Sequence, residues 1–147
     1  MSRRIIDIAF GRYTYSDTGI ININVGFRPK MIDFLALFHL GDFNEHAVSP
    51  ANEYEDPIGR HTVPISKGAA TDNGQIVQST NVVSDSMNSH ITYTGDGYVV
   101  YQVFLQNRGE DRLGANRITF KDMTSVGFEL EVIECFNPNS FIYRAFR

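Results

Sequence analysis

Cysteine is nearly missing from this chain of 147 residues: Cys135 stands alone. No intrachain disulfide can form, and the chain suits a reducing compartment. Tryptophan is absent, and the aromatic residues are all Phe and Tyr. No apolar run approaches the ~20 residues of a membrane-spanning helix. The longest, Met31 to Leu40, carries Asp33 and His39, and the expectation is no membrane. No secretory leader is read at Met1-Ser2-Arg3-Arg4, because the short apolar stretch that follows is broken by Asp7. A basic excess is also lacking: 13 Lys and Arg face 17 Asp and Glu, a net charge of −4. With the arginines scattered and only Arg3-Arg4 adjacent, the expectation is no nucleic acid partner.

What is present is alternation. Ile21, Ile23 and Val25 fall on one side of a strand with Asn22 and Asn24 on the other. Val126, Phe128, Leu130 and Val132 alternate with Glu129 and Glu131, and Ile118 and Phe120 alternate with Arg117, Thr119 and Lys121. A period of two buries one face of a sheet and wets the other. Met31 to Leu40 and Tyr98 to Leu105 are apolar on both faces, the pattern of strands covered on both sides; for Met31 to Leu40 a helix with Pro29 near its first turn is the alternative, and its phenylalanines and short length favour the strand. Turn residues punctuate these runs at Ser16-Asp17-Thr18-Gly19, Asp72-Asn73-Gly74, Thr94-Gly95-Asp96-Gly97, Gly109 to Gly114 and Asn137-Pro138-Asn139. Gln75 to Val83 reads as an edge strand, and Gly41 to Arg60 as a long acidic loop. About nine short strands without a linker predict an all-β chain, residues 1–147 forming a single-domain antiparallel β-sandwich or jelly roll with long loops. Residues 1–10 are either an N-terminal arm that adds a strand to a neighbour or an ordinary first strand.

Catalytic chemistry finds little support. The loop acids Glu45, Glu53, Glu55 and Asp56, with His46, match neither a calcium loop nor a zinc helix, so no metal is assigned. No nucleophile elbow surrounds any serine. Gly95-Asp96-Gly97 opens no helix that could cradle phosphate, and Cys135 reads as an inert thiol. The expectation is no enzyme, no catalytic residue and no cofactor. Tyr54, Tyr93, Asp96 and Tyr98 are candidates for stacking on and bonding to a sugar.

Gly26-Phe27-Arg28-Pro29-Lys30, followed by the apolar strand from Met31, resembles an opening pattern in small β-sandwich domains of bacteriophage virion proteins. Gly127-Phe128-Glu129-Leu130 through Tyr143-Arg144-Ala145 is similar to the closing pair of the same domains, while the middle of the chain is unmatched. The resemblance implies a sandwich assembling around a threefold axis, with no catalytic residues to carry over. It implies a homotrimeric capsid cement or decoration protein that binds the major capsid protein, assembled in the host cytoplasm and located in the virion. Because no long shaft precedes the domain, cement is expected over the alternative, a head-fibre or tail-fibre module that recognises cell-surface carbohydrate. The interface is expected to use Ile5, Ile6, Ile8, Phe10, Phe141, Tyr143 and Phe146.

Overall fold

The structure, a computed structural model, describes residues 7–37, 62–84, 89–93, 97–105, 112–136 and 138–147. Every regular element among them is a strand: β1 (Ile8–Tyr15), β2 (Gly19–Asn24), β3 (Met31–Leu37), β4 (Thr62–Thr71), β5 (Ile76–Ser84), β6 (Ser89–Tyr93), β7 (Tyr98–Leu105), β8 (Arg112–Met123), β9 (Gly127–Cys135) and β10 (Asn139–Phe146). They form a six-stranded sheet in the order β1-β10-β3-β4-β5-β6 and a four-stranded sheet in the order β2-β9-β8-β7. All pairings are antiparallel. The two sheets pack face to face on one core, which makes the fold a β-sandwich. The ends of the chain interlock, with β1 pairing the last strand and β2 the one before it.

The period of two explains which side chains meet. Ile21 and Ile23 of β2, Phe128, Leu130 and Val132 of β9, and Ile32, Phe34 and Ala36 of β3 all point inward and are buried. At one side of the sandwich the interior is filled by rings. Phe34 meets Phe128 edge-on at 6.0 Å and Phe141 at 5.7 Å, and Tyr143 meets Phe128 at 5.3 Å. Offset and edge-to-face pairs add about 0.5–1.5 kcal/mol each beyond their buried area.

The opposite side closes differently. Strand β7 is the edge of the four-stranded sheet, yet Val99, Val100, Gln102, Val103 and Phe104 are fully buried. It lies against β4 so closely that a Cβ on Gly68 would overlap the Val99 carbonyl. Tyr101 donates its backbone N–H to Ser66 Oγ at 3.0 Å, and its carbonyl accepts from Thr80 Oγ1. Backbone groups that a sheet edge leaves open are thus satisfied by side chains of the facing sheet, which also blocks the edge against foreign strands.

One strand stands where the sequence suggested none. β4 carries Pro64, Ser66, Gly68 and Ala70 on its inward face, a set without the bulk that marks a core strand. One further difference follows from it, while the turn read at Asp72-Asn73-Gly74 is present. β5 is not an edge strand, since it pairs β4 on one side and β6 on the other. The Asp72-Asn73-Gly74 turn joins β4 to β5, with Gly74 at φ +84°. The segment Gly26 to Lys30 carries the chain back across the sandwich. Gly26 takes a φ of +86° that other residues adopt at a cost, and Arg28 Nη1 donates to the Met123 carbonyl at 2.8 Å.

Candidate functional site

The outer face of the six-stranded sheet is built by the residues that alternate with the core. Register places them in rows across the strands. Phe10 of β1 stands beside Arg144 of β10, Asp33 of β3, Ala69 of β4 and Val77 of β5. The next row runs Arg12, Ile142, Leu35, Lys67 and Ser79. A groove of about 860 Å³ lies over these rows, lined chiefly by Phe10, Arg12, Leu35, Lys67, Ile142 and Arg144.

The groove combines grease with positive charge. Phe10 is 73% exposed, and Ile8, Met31, Val77 and Ile142 are also exposed large apolar side chains. Scattered exposed apolar residues are ordinary, but a contiguous group on one sheet face marks a contact surface. Among the described charged side chains lining the groove, three are cations (Arg12, Lys67, Arg144) and one is a carboxylate, Asp33. Arg144 grips Asp33 with two nitrogens, at 2.9 Å from Nε to Oδ1 and 2.5 Å from Nη2 to Oδ2, and this pairing raises the guanidinium's pKa further. The fork geometry fixes Arg144 flat on the sheet, where its guanidinium also lies 5.7 Å from the Phe146 ring.

The outer face of the four-stranded sheet has the opposite character. Asn22, Glu129 and Asp122 form one row, and Ile20, Glu131, Thr119 and Tyr98 the next. Lys121 pairs with Glu131 at 3.1 Å. Glu129 and Asp122 oppose each other across β9 and β8, and among the described residues neither has an ion-pair or hydrogen-bond partner. Ile20 is 53% and Ile133 46% exposed beside them.

A third constellation is buried and polar. Gln102 is fully buried; its Nε2 donates to the Pro64 carbonyl at 3.3 Å, and its Oε1 accepts from Asn139 Nδ2 at 3.0 Å and the Tyr15 hydroxyl at 3.5 Å. Asn116 Nδ2 donates to the Tyr15 hydroxyl at 3.0 Å. Burial drives the Tyr15 pKa well above its ordinary range, with the Asn116 bond opposing. No titratable pair here is arranged for proton transfer; the network ties both sheets together.

The residues singled out in the sequence fall in different places. Ile8 and Phe10 lie on the outer face, in a regular first strand rather than a detached arm over residues 8–10. Phe146 lies on the same face, half-buried. Phe141 is corrected to a core residue: it is fully buried and stacks on Tyr13 at 5.8 Å, so it has no surface left for a partner. Tyr143 also points inward, half-buried, with its ring over Gly11, and burial raises its pKa. Tyr98 is half-buried on β7; its hydroxyl accepts from Arg117 Nη1 at 3.2 Å and its ring sits 5.6 Å from Tyr101. Tyr93 closes β6 opposite Thr80. Ile5, Ile6, Tyr54, Asp96 and the acidic loop of residues 41–60 lie outside the described residues.

Sequence reasoning missed Arg12, Asp33, Leu35, Lys67, Ile142 and Arg144 as groove residues. The phase of β10 was the available signal: a charged Arg144 on one face places Ile142 and Phe146 there too, and turns Phe141, Tyr143 and Ala145 inward. Among the described residues no three His, Cys, Asp or Glu side chains cluster as metal ligands, and no helix is long and apolar enough to cross a membrane. No protein-family model, curated protein or solved structure matches the chain.

Proposed function

We propose that this protein is a structural component of a bacteriophage particle, a cement or decoration protein that binds the capsid shell and performs no chemistry. The observation that carries the reading is the outer face of the six-stranded sheet, where Phe10, Ile142 and Leu35 lie exposed or half-exposed among Arg12, Arg144 and Lys67. A rigid sheet carrying apolar side chains and fixed charges suits a broad protein contact. The sequence resemblance of Gly26 to Lys30 and of the last two strands supports the choice of particle, and it supports three copies around an axis with the major capsid protein as partner. A part that binds only the assembled shell stabilises it by mass action.

Glycan recognition by a fibre module ranks second. Of its four candidate residues, Tyr98 has its hydroxyl engaged by Arg117 and its ring beside Tyr101, which leaves little of it to stack on a sugar. The test is co-sedimentation of the purified protein with capsids of the phage that encodes it, stripped of this protein. Saturable binding that raises the temperature of shell disruption is the expected result. Absence of binding, together with selective retention on a glycan array, would replace cement with receptor recognition.

A further inference from the structure

We infer that the two outer faces of the sandwich are made for each other in separate copies: the groove on the six-stranded sheet of one copy receives the four-stranded sheet of the next. This rests on the assembly reading above and refines it: the protein contact made by the groove is with a second copy of this chain, and the assembled copies together meet the shell.

Three observations support it. The first is charge. The groove carries three cations against one carboxylate, while the opposite face carries Glu129, Glu131 and Asp122 against Lys121. With the Arg117–Glu134 pair cancelling, these described residues give the two faces opposite net charge, although the chain as a whole is acidic.

The second is the pairing within each face. Glu129 and Asp122 stand directly opposite on neighbouring strands, an arrangement that costs stability in an isolated sheet. No cation among the described residues relieves it. Lys67, on the groove, likewise has no ion-pair partner among them. An interface that brings Lys67 to the Glu129–Asp122 pair satisfies both sets.

The third is apolar surface. Phe10 and Ile142 on one face, and Ile20 and Ile133 on the other, are exposed large hydrophobics flanking the charges. Complementary charge around an apolar centre fixes orientation and register between partners.

A contact between two different faces is head-to-tail. It closes into a ring when the rotation permits and otherwise runs on as a filament. Like charges would meet in a twofold groove-to-groove dimer, so the charge distribution favours the head-to-tail contact.

The experiment uses the full chain in sedimentation velocity and light scattering at about 100 µM and at low and high salt, with circular dichroism confirming the fold of each variant. The wild type is expected to form a ring that loosens as salt rises. Phe10→Asp spoils one face and Ile20→Asp the other; both sites are exposed, and each variant alone should be monomeric. Mixed, they retain one good face each and should give a one-to-one dimer and nothing larger. The charge reversal Glu129→Lys should also dissociate the ring, and Lys67→Glu in the same chain should restore it.

Retention of the wild-type oligomer by Ile20→Asp would overturn the inference, as would a mixture that stays monomeric or a wild type that is monomeric at all salts. A monomer that still binds shells would sink the ring and leave the cement reading standing. A ring that ignores shells would do the reverse.

Discussion

The sandwich interior is filled in two ways, and the contrast between its two sides explains most of the sequence. Beside β1, β10 and β9 the gap between sheets is occupied by Phe34, Phe128, Phe141, Tyr13 and Tyr143. Beside β4 and β7 the backbones themselves come together, with Gly68 under the Val99 carbonyl and hydroxyls of Ser66 and Thr80 bonding Tyr101. Large rings hold sheets apart at the usual ~10 Å; small side chains let them converge until polar groups must be satisfied one by one. Stability on the first side comes from buried area, and on the second from fit and hydrogen bonds.

Truncation should separate the two sides most sharply. Phe141→Ala removes the ring shared by Tyr13, Tyr15 and Phe34 and is expected to cost about 3–5 kcal/mol in a denaturant titration. A loss under about 1 kcal/mol would mean the aromatic side is loosely packed. Enlargement should do the reverse. Gly68→Ala places a methyl against the Val99 carbonyl and is expected to cost about 3 kcal/mol, the upper end for overpacking. A neutral result would mean that β7 can retreat from β4.

Smaller effects test the hydrogen bonds. Ser66→Ala removes the hydroxyl that accepts from the Tyr101 amide and should cost about 0.5–1.5 kcal/mol, the net contribution of one hydrogen bond. Thermal denaturation would register it as a lowered midpoint with unchanged strand content.

The mildest test uses pH. Tyr15 and Tyr143 both hold their protons to higher pH in the fold, because burial disfavours the phenolate. The unfolded chain releases those protons near pH 10. Their contribution to stability is therefore full below about pH 10 and declines as pH rises beyond it. Tyr15→Phe should flatten that decline in denaturation midpoints measured across the alkaline range; an unchanged slope would assign the effect elsewhere.

The same contrast explains what could be read from sequence. β2, β9 and β10 are legible because bulky apolar residues alternate with Asn, Glu and Arg. The aromatic side writes itself in large letters. β4 is illegible by that rule, since Pro64, Ser66, Gly68 and Ala70 are small for the sake of β7, a strand that is distant in sequence. β7 reads correctly as a strand covered on both faces, while β3 leaves Met31, Asp33, Leu35 and Leu37 at least partly open to the outer face. At the candidate site, Ile8, Phe10 and Phe146 were legible as apolar residues near the chain ends. Their neighbours Arg12, Lys67 and Arg144 join them only through register, which a single sequence does not display.

The interlocked ends have a kinetic corollary. Ile8 finds its partner at Phe146, and Gly19 finds its own at Val132, so a chain leaving the ribosome carries two idle strands until nearly all of it has emerged. Only the hairpins of the middle can zip early. Such distant closures belong to the slow end of small-domain folding, milliseconds to seconds. Throughout that wait the inward-facing Tyr15, Ile21 and Ile23 stay open to other nascent chains. Joining residue 7 to residue 147, whose amide already donates to the Asp7 carbonyl at 3.0 Å, and reopening the circle elsewhere would make those strands sequence neighbours and hasten the search.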